Sequence, residues 1–156
     1  MSNYAKNTNV SVSKSQAEVQ NILRRYGADR FGTMEDKQNA YLMFEYNQLL
    51  IQIQVPMPDR NEFTHTPTGR KRSKDQIDRE FEQSVRQKWR ALVLAVKAKL
   101  EAIESGISSV EKEFLAFVVM HDGSHLSDHL IPKLKQIAST GQWPNMLNPV
   151  NQTDKH

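Results

Sequence analysis

The chain contains no cysteine. That absence excludes a disulfide scaffold, a thiolate zinc site and a cysteine nucleophile, and it fits a reducing compartment. Long apolar runs are missing too. Nothing approaches the length needed to span a bilayer, and the opening Met1-Ser-Asn-Tyr-Ala-Lys6 lacks the apolar stretch of a signal peptide. A cytoplasmic protein is therefore the expectation. Glycine is scarce, with six in the chain, and none lies in a glycine-rich phosphate loop. No nucleophile elbow or His-Glu-x-x-His pair is present either. The sequence indicates no enzyme and no cofactor.

What is present is enough for one folded domain. The chain has 156 residues, of which 38% are apolar and 25% charged. Net charge is +3, and its distribution is uneven. Residues 1–59 balance to zero. Residues 60–99 carry eleven Lys/Arg against five Asp/Glu, and residues 100–156 carry four against seven. The positive charge is gathered in one segment.

That segment contains the strongest pattern in the chain. Ser73-Lys-Asp-Gln76 is a capping box, in which a serine hydroxyl and a glutamine amide satisfy orphan N–H groups. Ile77, Phe81, Val85, Trp89, Leu92, Val96, Leu100 and Ile103 then recur at steps of three and four, which predicts a helix with one apolar face. Gly106 stands where a left-handed C-cap belongs. Such a helix is about 45 Å long.

Before it, the period is different. Leu49, Ile51, Ile53 and Val55 alternate with Leu50, Gln52 and Gln54, as on a strand with one face on a core. With a strand near Arg30–Met34, a second over Tyr41–Tyr46 and turns at 35–39 and Asn47-Gln48, this predicts a three-stranded antiparallel meander ended by Pro56 and Pro58. Ahead of the meander, Ser15-Gln-Ala-Glu18 is a second capping box that opens a short helix ending at Gly27. A third box, Ser108-Ser-Val-Glu111, opens a short apolar helix through Phe114 and Val118. A last helix, from about Ser127 to Gly141, should bury Leu130, Ile131, Leu134 and Ile137. The expected architecture is a single α+β domain over residues 13–141. A flexible arm spans residues 1–12 and a polar tail residues 142–156. The long helix should lie across the sheet, with Phe81, Val85, Trp89, Leu92 and Val96 against the strands, and the two shorter C-terminal helices should close the core.

Four surfaces are candidates for function. On a helical wheel Arg79, Arg86, Arg90 and Lys97 fall within about 40° of one another, beside the apolar face. Arg70, Lys71, Arg72 and Lys74 lead into the same helix from the polar loop 58–72. Together they predict a basic stripe suited to a nucleic-acid backbone, where affinity comes from counterion release. A solvated helix face accounts for the same charges. Ala91, Leu94 and Ala98 form a patch of small and apolar residues on the opposite side, open to a packed helix or to a partner. Arg60 and Phe63 in the loop are arginine and aromatic anchors of the kind that protein interfaces use. Finally, His121-Asp-Gly-Ser-His-Leu-Ser-Asp-His129 sets two histidines four residues apart beside two aspartates. A metal site would need a third ligand that the sequence does not specify, so a surface turn is the plainer account.

Leu23-Arg-Arg-Tyr-Gly-Ala-Asp29, Pro58-Asp-Arg-Asn-Glu-Phe-Thr-His65 and Arg86-Gln-Lys-Trp-Arg-Ala-Leu92 together resemble a family of small uncharacterised proteins encoded by bacteriophages and prophages. The resemblance covers nearly the whole chain. It carries no activity and no functional residue. It implies a host-cytoplasmic setting and two roles by association, an accessory in DNA replication or recombination and an inhibitor of a host defence protein. The expected function is a non-enzymatic nucleic-acid-binding accessory protein. The alternatives are a protein-binding inhibitor or adaptor, and a metal-dependent enzyme built on His125 and His129.

Overall fold

The computed structural model describes residues 7–143, and its element order is helix, three strands, then three helices. Helix α1 spans Val12–Arg25. Strands β1 (Arg30–Glu35), β2 (Asn39–Tyr46) and β3 (Leu49–Pro56) form an antiparallel meander in the order β1-β2-β3. Helix α2 spans Lys74–Glu104, α3 spans Val110–Phe114 and α4 spans Leu126–Thr140. The α+β class, the meander, the long helix and the two shorter helices after it are as the periodicity predicts.

The meander is pinned at both turns. Asp36 Oδ1 accepts from the backbone N–H groups of Gln38 and Asn39, each at 2.7 Å, and so closes the β1–β2 connection. These two bonds hold the Asp36 carboxyl below the usual aspartate range. Between β2 and β3, Asn47 and Gln48 both take positive φ, 49° and 65°, as a two-residue hairpin matched to strand twist requires. Register then follows. Phe44 sits opposite Ile51, Leu42 opposite Ile53 and Ala40 opposite Val55, all on one face and all buried.

Onto that face packs the middle of α2. Ser73 caps it through the expected box, and Gly106 adopts φ +74° just past its end. Trp89, Val93, Val96 and Leu100 are completely buried. Each such side chain contributes about 1.5–3 kcal/mol as an upper estimate. The first turns of α2 overshoot the sheet: Phe81, expected against the strands, lies outside the main core. It packs edge-on to Phe63 at 6.3 Å, beneath the Arg60 guanidinium at 4.4 Å.

Helix α1 begins earlier than its capping pattern suggests. Ser11, not Ser15, is the N-cap, and its side chain accepts from the Lys14 N–H. Ser15 is completely buried one turn inside the helix, and its Oγ finds no hydrogen-bond partner among the described residues. Two serine caps compete within five residues, and burial beside Val19 and Leu23 selects the upstream one. Of the expected arm, residues 1–6 lie outside the described residues. Thr8 is tied down, its carbonyl accepting from Gln83 Nε2 at 3.0 Å. The polar tail beyond Trp143 also falls outside the described residues.

The C-terminal third departs further. The cap of α3 is Ser109 rather than Ser108, and the helix gives way after Phe114 to a 3-10 turn over Leu115–Phe117. Phe114 reaches the core edge-on to Phe44 at 5.3 Å. Val118 then pairs with Ile51, and the Val119 N–H donates to the Leu50 carbonyl at 2.8 Å, covering part of the β3 edge. Helix α4 does not close the core. None of its residues is buried, and Ile131 and Leu134 are about half exposed, at 48% and 54%. Its apolar periodicity marks a face that rests on the 3-10 turn and, among the described residues, is otherwise left partly exposed.

Candidate nucleic-acid interface

The expected stripe along α2 does not stand free. Helix α1 lies alongside the flank that carries it, running in the same direction. Three ties mark the course: Thr8 with Gln83, Glu18 with Arg90, and Tyr26 with Glu101. Arg90 Nη1 donates to Glu18 Oε2 at 2.5 Å, and the Arg90 side chain is 22% exposed. Arg86 donates twice to Gln83 Oε1, at 3.1 and 2.7 Å, and lies 3.9 Å from Glu82. Only Arg79 and Lys97 of the four remain exposed. The physical reason lies in the wheel itself. Positions beside a buried arc border the groove where a second helix settles, and arginine stems pack there while their heads find carboxylates.

The cations ahead of the helix have a different fate. Loop 58–72 is folded throughout. Asp59 caps a 3-10 turn over Arg60–Phe63 in a reciprocal box with Glu62. Thr64 to Arg72 then form a miniature hairpin. His65 pairs with Lys71, the Arg72 N–H donates to the Thr64 carbonyl at 2.9 Å, and the Thr66 N–H to the Arg70 carbonyl at 2.8 Å. Pro67 occupies the turn and Gly69 takes φ +83°, a value that strains any residue with a β-carbon. Arg72 braces the structure from inside, donating to the carbonyls of Phe63 and His65 at 3.2 and 2.7 Å. Arg70, Lys71 and Lys74 are exposed and make no ion pair among the described residues. Between Thr64 and Lys74 there are four basic residues and no acidic one. The eight cations singled out by sequence thus divide. Arg70, Lys71 and Lys74 share the hairpin end, Arg72 holds it together, Arg86 is bonded to Gln83 within α2, Arg90 ties α2 to α1, and Arg79 and Lys97 stand apart on α2.

A further cation stands beside the Arg60–Phe63 turn that precedes the hairpin. The Met57 N–H donates to the Gln38 carbonyl at 2.8 Å, which seats the β1–β2 turn beside the exit of β3. Exposed Lys37 thereby lines one side of a cavity of about 440 Å³ whose other walls are Gln38, Met57, Pro58, Asp59, Arg60 and Phe81. Lys37 was not among the sequence candidates. The signal was available in the register, because pairing Asn39 with Pro56 forces that turn and the start of the loop together.

The remaining candidates resolve differently. Arg60 pairs with Asp78 and covers Phe81, while Phe63 is half-buried against the same ring. Ala91 and Ala98 are exposed and Leu94 half-buried, so this patch is not consumed by the core. In the histidine turn, Ser124 Oγ donates to Asp122 Oδ1 at 2.6 Å and lies 2.8 Å from His129 Nε2. The Ser124 bonds hold the Asp122 carboxyl below its ordinary value. His125 opens α4, its backbone N–H donating to Asp128 Oδ2 at 3.1 Å. Among the described residues no group of three His, Asp or Glu side chains is placed to hold a metal ion. Likewise no described helix is long and apolar enough to cross a membrane.

Comparison with known proteins adds no assignment: no family model matches the chain, and neither a characterised protein nor a solved structure shows significant similarity to it.

Proposed function

We propose that this protein is a non-enzymatic nucleic-acid-binding accessory, and that it meets the phosphate backbone with the hairpin end. The observation that carries the reading is the folded, acid-free segment 64–74, which presents Arg70, Lys71 and Lys74 to solvent while Arg72 is spent on bracing it. A braced cation loses less freedom on binding than one on a mobile loop. Counting Lys37 on the cavity beside the preceding turn, four cations are available. At roughly 0.7–0.9 per phosphate neutralised, they give a log–log salt slope of about −3, or about a 60-fold loss of affinity between 50 and 200 mM salt. The resemblance to phage-encoded proteins makes replication or recombination intermediates the natural ligands.

The test is fluorescence anisotropy with labelled single-stranded and duplex DNA across that salt range. Paired reversal, Arg70→Glu with Lys71→Glu, should cut the slope by about half. No binding of either probe at low salt, or an unchanged slope in the double variant, refutes the proposal.

A second reading, a protein-binding inhibitor or adaptor, draws on the open apolar residues of α4, Ile131 and Leu134. It predicts a stable complex with one host protein that Ile131→Glu disrupts. Retention of that complex in the variant counts against this face.

A further inference from the structure

We propose that the cavity between the β1–β2 turn and the Arg60–Phe63 turn receives an unpaired nucleobase, making single-stranded nucleic acid the ligand class. This rests on the nucleic-acid reading above and sharpens it.

The cavity is large enough for a small ligand, at about 440 Å³. Its chemistry is mixed in the way a nucleotide requires. Met57, Pro58 and Phe81 supply an apolar lining, Lys37 and Arg60 supply positive charge, and Gln38 brings an amide able to donate and accept along a base edge. Asp59 is the one carboxylate in the wall, and its Oδ1 already accepts from the Asn61 N–H at 2.9 Å.

Arg60 is the distinctive element. Its guanidinium carbon lies over the Phe81 ring, 4.4 Å from the centre, and Phe63 supports that ring edge-on. Asp78, one turn ahead of Phe81 on α2, pairs with the same guanidinium. Fixed by ring and carboxylate, the side chain is nonetheless 56% exposed. A planar cation held this way, with open surface on a cavity wall, is a stacking platform for a base. An ion pair made only for stability needs neither the ring beneath it nor the cavity beside it.

The geometry is also selective. A base stacked inside a duplex cannot leave its neighbours without the cost of unstacking, so a strand already unpaired fills the cavity at least cost. Phosphates flanking that base would then lie against Lys37 and the hairpin cations.

The experiment compares three labelled probes of equal length at low salt: oligo-dT, an abasic strand and a duplex. Each is titrated with the whole protein and with Arg60→Lys, which keeps the charge for Asp78 but removes the plane. The wild type should bind oligo-dT about 5- to 150-fold more tightly than the abasic strand, the range expected for one stacked base. The duplex should bind no better than oligo-dT. Arg60→Lys should erase the preference for oligo-dT while leaving abasic affinity unchanged, a readout that misfolding could not mimic. Equal wild-type binding of oligo-dT and the abasic strand overturns the pocket but leaves the backbone reading intact. A preference for duplex, or a preference for oligo-dT that survives Arg60→Lys, also overturns it. Failure of every probe to bind removes the nucleic-acid reading itself.

Discussion

Replacing Arg90 by glutamine separates two accounts of the positive charge on α2. If Arg90 served a ligand, its loss would weaken nucleic-acid binding and leave the fold intact. The structure gives it to Glu18 instead, at 2.5 Å, in a contact where the arginine is 22% and the glutamate 34% exposed. An open ion pair is worth about 0.2–1 kcal/mol, and breaking a buried one costs about 3–5 kcal/mol. Partial exposure places this pair between those limits, so about 1–2 kcal/mol is expected for Arg90→Gln. For a chain of this size that lowers Tm by about 2–8 °C. The salt slope of DNA binding should not change. Thermal unfolding by circular dichroism and anisotropy titrations on the same preparation read both quantities. The companion variant Glu18→Gln should lose a comparable amount, and the double variant should lose less than the sum of the two. A wild-type Tm combined with a slope reduced by one phosphate would refute the assignment of Arg90 to the helix pair.

Other expectations follow from individual residues. Ser15→Ala removes a buried hydroxyl that has no partner among the described residues, so urea unfolding should show stability unchanged or raised by about 0.5–1 kcal/mol; a loss above that size would show that the hydroxyl is satisfied. Gln48→Gly relieves a side chain held at φ 65° and should stabilise the β2–β3 hairpin by about 1 kcal/mol, with no gain counting against the turn as described. For Asp36 the folded pKa is depressed, so its contribution is present above the unfolded aspartate range near pH 4 and fades as pH falls through the lower folded value. Asp36→Asn keeps the acceptor oxygen but not the titration. The gap in Tm between wild type and variant should therefore close as acid is added, whereas a gap independent of pH would contradict the cause given.

Helix α2 was legible because its evidence is local. Capping box, period and terminal glycine all lie within the helix or next to it, and each is decided by hydrogen bonds reaching at most six residues. Alternation along β2 and β3 and the Asn47-Gln48 turn were legible for the same reason. The errors came where two local signals of equal strength competed. Ser11 and Ser15 both make acceptable caps, as do Ser108 and Ser109, and only the burial of Val19, Leu23, Val110 and Phe114 chose between them. Helix α4 has the apolar spacing of a core helix without a core to meet.

The candidate site divides along the same line. Chain order by itself put a run of basic side chains ahead of a long helix and denied this protein any thiol chemistry. It could not say which of those cations would face water, because a wheel fixes angles about one axis and is blind to what lies beside it. Tertiary structure decided that. Laying α1 on one flank of α2 gave Arg90 to Glu18, while docking the β1–β2 turn on the exit of β3 brought Lys37 to Arg60 across 23 positions of sequence. Contacts between residues distant in the chain are set by which faces must be buried together, and that is a property of the whole fold.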